Sequence, residues 1–134
     1  METILVFRMN RYDSWHTKVL ALGAAAEKRG WRVQVIDQAA TKAAVRRLIA
    51  FWRPRGVVIA ETPDVARRFP RELFAATPAV FLDCNPAAVT PGMPNVRHDA
   101  NAICEAALRE FFSIGCSDVA YAGWFERTHW CEDK

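Results

Sequence analysis

Apolar residues recur along this chain with two periods, and the switches between them mark out its elements. Residues 3–9 (TILVFRM) are apolar almost without interruption as far as Phe7, which predicts a strand buried on both faces. Asp13 or Ser14 is placed to cap a helix carrying Trp15, Val19, Leu22 and Ala26 at helical spacing. Lys28 and Arg29 fall in its last turn, and Gly30 suits a left-handed stop. A second strand follows at 31–37 (WRVQVID). Thr41 caps a second helix with Val45, Leu48, Ile49 and Trp52 on one face, ended by Pro54 and Gly56. Residues 56–61 (GVVIAE) read as a third strand and 79–83 (AVFLD) as a fourth. Between them, Pro63 opens a helical stretch that Pro70 restarts as a short helix at 71–76.

The last third is less regular at first. Pro86, Pro91, Gly92 and Pro94 make 84–95 a surface loop, and 96–98 suits a short extended piece. Asp99 then caps a helix with Ile103, Ala107, Phe111 and Ile114 as its inner stripe, stopped at Gly115. Residues 118–123 (DVAYAG) predict a fifth strand, and Glu126 begins another helix.

Five strand–helix units in succession force parallel pairing through right-handed crossovers. The expected fold is an α/β doubly wound parallel sheet of about five strands, order 2-1-3-4-5, with helices on both faces. With 134 residues and 51% hydrophobic content, residues 1–134 suit a single lobe that needs no disulfide or metal staple. The four cysteines, 84, 104, 116 and 131, include no C-x-x-C pair, so they read as small apolar thiols. No apolar run reaches membrane-spanning length and no signal-peptide pattern opens the chain, so a cytoplasmic protein is expected.

The net charge of +3 is unevenly spread. Residues 42–71 hold eight basic and two acidic residues, whereas 72–134 hold four and nine. A nucleic-acid surface would want aromatics interleaved with those cations. Read along the chain, the cations instead fall on outer, solvated helix faces.

In sheets of this kind ligands bind beyond the carboxyl ends of the strands, beside the reversal of strand order. That rule selects Asn10, Arg11, Tyr12, Asp13 and Trp15 after strand 1, and Glu61 and Thr62 after strand 3. It also selects Asp83 and Asn85 after strand 4, and Trp124, Glu126, Arg127 and Trp130 after strand 5. Rings with carboxylates, amides and guanidinium groups suit a sugar, whose C–H faces pack on flat surfaces while its hydroxyls need partners. Trp31 and Trp52 lie elsewhere and are assigned to packing. The first strand–helix turn, Arg8-Met9-Asn10-Arg11-Tyr12, has no glycine and is neither a dinucleotide fingerprint nor a Walker loop. The carboxylates and lysine of a phospho-receiver are missing at strands 1, 3 and 5. No nucleophile–base–orienter set or Gly-x-Ser-x-Gly elbow stands out, which argues against an enzyme. Neither a cofactor nor a metal is expected.

The segment PGMPNVRHD at 91–99, followed by Ile103, Ala106-Ala107-Leu108, Gly115, Val119-Ala120-Tyr121-Ala122-Gly123 and Trp130, resembles the lac-repressor and periplasmic sugar-binding-protein superfamily. Within it the similarity is nearest to the effector domain of xylose-operon transcription regulators. Ile4-Leu5-Val6-Phe7, Gly30-Trp31 and Pro54-Arg55-Gly56-Val57-Val58-Ile59 fit the same pattern. Two positions depart from it: Ala100 stands where Asn usually follows the capping Asp, and Cys104 where glycine is common.

The resemblance implies the first lobe of a type I periplasmic-binding-protein-like domain that closes on a sugar, a pentose or hexose. It implies ligand contacts from Asn10, Arg11, Tyr12, Asp13, Trp15, Asp83 and Trp124. It further implies a homodimer that meets DNA through a separate helix-turn-helix module, placed after the effector domain in the xylose type. A chain opening at strand 1 favours that order, and one wall of the cleft is then what residues 1–134 supply. The alternatives are a stand-alone α/β dimerisation or interaction domain and, further off, a small enzyme.

Overall fold

A computed structural model of the chain describes residues 1–8, 13–37, 41–60 and 68–122. The chain divides into two compact units, Met1–Arg97 and His98–Lys134.

The first unit holds strands β1 (Glu2–Arg8), β2 (Trp31–Ile36), β3 (Gly56–Ala60), β4 (Ala79–Leu82) and β5 (Asn95–Val96). All pairs are parallel and the order is β2-β1-β3-β4-β5. The doubly wound order expected of the sequence is therefore present, but its fifth strand is a different segment. The two residues of β5 pair Phe81 with Asn95 and Leu82 with Val96. Residues 118–122 form no strand. A strand exists only where a neighbouring backbone offers its donors and acceptors, and β4 finds that neighbour in Asn95–Val96.

Helix α1 (Asp13–Glu27) connects β1 to β2, and α2 (Lys42–Trp52) connects β2 to β3. Asp13 and Ser14 are the first two residues of α1, and Lys28 and Arg29 lie in the turn that follows its end. Gly30 takes the expected left-handed conformation, φ 68°. Thr41 caps α2 as expected, its hydroxyl accepting from the Ala44 N–H at 3.2 Å. The end of α2 differs from expectation: Arg53 itself takes the left-handed conformation (φ 44°) and donates its N–H to the Ile49 carbonyl. Pro54 disfavours the right-handed helical region for the residue before it. A 3₁₀ turn, Arg71–Phe74, follows Pro70.

Alternating strand residues build two cores. On the α2 side Leu5, Phe7, Val57, Ile59 and Phe81 pack with Val45, Phe69, Phe74 and Cys84. The Phe7 and Phe69 rings meet at 5.4 Å between centroids. On the α1 side Ile4, Val6 and Val58 are buried, with Leu22, Trp31, Val33, Val35, Val80 and Leu82 partly covered around them. Trp52 packs against the first core, so both tryptophans set aside for packing do pack.

The second unit is described by α3 (Ala100–Ser113) and the residues after it. Asp99 caps α3, its carboxylate accepting from the Ala102 N–H at 3.0 Å. Gly115 (φ 90°) stops it: the N–H groups of Gly115 and Cys116 donate to the carbonyls of Phe112 and Phe111, a Schellman ending. The expected inner stripe is not buried. Ile103 is 47% exposed, Phe111 46% and Ile114 74%. A helix buries a stripe only against a second layer, and the described residues of this unit contain no further helix or strand. Among all described residues no helix is long and apolar enough to cross a membrane. Cys84, Cys104 and Cys116 are thiols.

Candidate functional site

Strand β1 lies between β2 and β3, so the crossovers leaving β1 and β2 carry the chain to opposite sides of it. Connections diverge at that reversal and leave a crevice beyond the carboxyl ends of the strands. Arg8 ends β1 beside Ala60 at the end of β3, Asp37 follows β2 and Asp83 follows β4.

Two ion pairs flank the reversal. Arg8 donates from Nε and Nη2 to the two carboxylate oxygens of Asp37, at 2.5 and 2.7 Å. This fork-on-fork geometry gives direction as well as charge. The Asp37 hydrogen bond holds the Arg8 guanidinium protonated still more firmly than usual. On the other side, the Lys18 ammonium donates to the Asp83 carboxylate. Lys18 stands four residues before Leu22, on the α1 stripe that faces the sheet. From there its ammonium reaches Asp83 at the carboxyl edge.

Asp83 is buried and adopts a left-handed backbone, φ 52°. That conformation turns the chain sharply out of β4, and Asp tolerates it better than most residues. The segment beyond is tied down. Asn95 of β5 donates from Nδ2 to the Cys84 carbonyl at 2.9 Å and accepts from the Cys84 N–H at 3.4 Å. Asn85 turns the loop by accepting from the Ala87 N–H at 2.9 Å. Thr90, buried, donates its hydroxyl to the Phe69 carbonyl at 2.9 Å. A third ion pair, Lys42 to Glu72 at 2.5 Å, joins the start of α2 to the 3₁₀ turn. The Lys42 hydrogen bond is the main cause holding the Glu72 carboxyl below its ordinary range.

Of the residues selected from sequence, Asn10, Arg11, Tyr12, Glu61 and Trp124 lie outside the described residues, as do Thr62, Glu126, Arg127 and Trp130. Asp13 and Trp15 belong to the first turn of α1. Asp83 stands at the carboxyl edge, beside the reversal. Sequence reasoning missed Arg8, Lys18 and Asp37 as members of the site. Lys18 carried a signal, as a cation within an apolar helical stripe. Asp37 ends an apolar strand, and Arg8 follows one directly. Nothing in their spacing announced which cation meets which carboxylate.

The edge thus presents paired cations and carboxylates, each pair partly exposed, with Asp83 the most covered of the four groups. Such groups are the donors and acceptors that hydroxyl groups need when they leave water. No protein-family model matches the chain, and no curated protein matches it.

Proposed function

We propose that residues 1–97 are the ligand-sensing wall of a sugar-binding effector domain in a bacterial transcription regulator of the xylose-operon type, without catalytic activity. The observation that carries this reading is the pairing of Arg8 with Asp37 and Lys18 with Asp83 on either side of the strand-order reversal. A pentose or hexose meets carboxylates with its hydroxyl donors and cations with its oxygen acceptors, which is the mixture this edge offers. The resemblance described above supports the same use of the edge. In the proteins this chain resembles, a second lobe supplies the opposite wall. Ligand then favours closure by its greater affinity for the closed arrangement, and closure biases a helix-turn-helix module bound to DNA. No cofactor enters this scheme.

Calorimetric titration of the chain with a panel of pentoses and hexoses tests it. Binding to one wall is expected to be weak, with a dissociation constant on the order of 1 mM, and to be lost in Asp83→Asn. Silence across the whole panel, or submicromolar binding that Asp83→Asn leaves intact, would overturn the reading.

A second reading, an α/β dimerisation domain, is favoured by one observation. A groove of about 500 Å³ runs over the α1 side of the sheet, lined by Leu22, Trp31, Val58, Pro78 and Val80. Apolar surface of that kind suits a protein interface. Sedimentation with and without sugar separates the readings: dimers that ignore every sugar tested favour this one.

A further inference from the structure

At the opposite, amino edge of the sheet the cations are arranged differently. Lys28 and Arg29 occupy the turn after α1, Arg32 is the second residue of β2, and Arg53 and Arg55 lie between α2 and β3. The carboxylates that sequence and topology place beside them are Glu27 and Glu2, the latter 3.7 Å from Arg55. Among the described residues Arg32 and Arg53 have no carboxylate within ion-pair distance. At the carboxyl edge, by contrast, Arg8, Lys18 and Lys42 each meet one.

Aromatic rings stand among these cations: Trp31 lies between Arg29 and Arg32 in the chain, and the fold adds Trp52 to Arg32. The Arg29 guanidinium lies 5.8 Å from the centre of the Trp31 ring, and that of Arg32 lies 5.3 Å from Trp52. Phe51, 79% exposed, meets Trp52 edge-on. A ring beneath a guanidinium restrains it by cation–π attraction and leaves its N–H edge available. Arg32 is in register with Thr3, and the Arg55 N–H donates to the Thr3 carbonyl at 2.7 Å. Arg32 and Arg55 thus stand on either side of β1, two strand spacings or about 10 Å apart.

We propose that this amino edge, centred on Arg29, Arg32, Arg53 and Arg55, binds the phosphate backbone of duplex DNA without reading its sequence. Guanidinium forks match phosphate oxygens, and a row of them tracks regularly spaced single charges. An acidic peptide seated in the neighbouring apolar groove would meet Arg29 and Arg55, which line it. Arg32 lies against α2 and Arg53 caps that helix, so the row continues past the groove to the other side of the sheet. This continuation favours an extended polyanion. The surface stands apart from the sugar reading, and failure of either leaves the other in place.

Fluorescence anisotropy of a labelled 20-base-pair duplex, titrated with the full chain over a range of salt, tests the proposal. The expected dissociation constant is on the order of 10 µM at low salt, with log K falling against log salt at a slope of about −3.6 for four phosphates. Arg32→Gln with Arg53→Gln is expected to bring that slope to about −1.8 and weaken low-salt binding by about tenfold or more. Circular dichroism of that variant checks that it folds. Glu2→Gln is expected to tighten binding, an effect no folding defect imitates, while Lys42→Gln at the far edge leaves it unchanged. The proposal is overturned by an absence of binding at low salt. It is also overturned by an unchanged slope in the double variant, or by poly-glutamate competing as well as DNA does.

Discussion

Lys18 of α1 donates to the carboxylate of Asp83, 65 positions later in the chain. The bond fastens the helix after β1 to the turn after β4, across the position where strand order reverses. Replacing Asp83 tests both its charge and its backbone. Asp83→Asn keeps a side chain that tolerates the left-handed conformation and loses the charge, at an expected cost of about 1–3 kcal/mol. Asp83→Val adds left-handed strain of about 1–2 kcal/mol. Urea unfolding of the three proteins checks that order, and equal losses for the two variants would remove the backbone argument.

Asn95 holds a two-residue strand in place by bonding both backbone groups of Cys84. Asn95→Ala leaves those groups to find other partners, and a loss of about 1–3 kcal/mol is expected. Hydrogen exchange gives the sharper check. The N–H groups of Phe81 and Asp83, which donate to Pro94 and Val96, should exchange faster, while β1 amides change no more than the global loss requires.

Arg53 takes a left-handed cap that glycine adopts without strain. Arg53→Gly is therefore expected to stabilise the protein by about 0.5–1 kcal/mol, and at the same time to weaken the proposed DNA contact. A rise in thermal midpoint together with looser DNA binding is the expected result.

Glu72 supplies the pH dependence. Its carboxyl lies below its ordinary value, chiefly through the Lys42 hydrogen bond. A group whose native value is depressed contributes stability above its unfolded value, and that contribution is lost as pH falls through the native one. Glu72→Gln is thus expected to differ from the parent at neutral pH and to converge with it in acid. A difference that grows on acidification would contradict the pairing.

Thr41 offers a test of local structure alone. Thr41→Ala removes the acceptor for the Ala44 N–H and is expected to cost about 1 kcal/mol, with no effect on sugar or DNA binding.

Residues 3–7, 31–36, 56–60 and 79–82 were legible as strands because each is an apolar, β-branched run closed by turn residues, a local property of the chain. Thr41, Asp99, Gly30 and Gly115 were legible for the same reason, since a cap or a left-handed stop acts within a few residues. Alternation of strand and helix then leads to parallel pairing and the 2-1-3-4-5 order. Other features depended on which distant segments arrive side by side. Residues 95–96 rather than 118–122 form the fifth strand, because a strand needs a partner backbone and not only a pattern. Arg8 meets Asp37 and Lys18 meets Asp83 because the sheet brings strand ends together from far along the chain. Arg32 likewise meets Trp52 only when β2 lies beneath α2. Periodicity and capping are short-range and are written in the order of residues, whereas charge pairing and ring stacking are contacts in space, which tertiary structure alone decides.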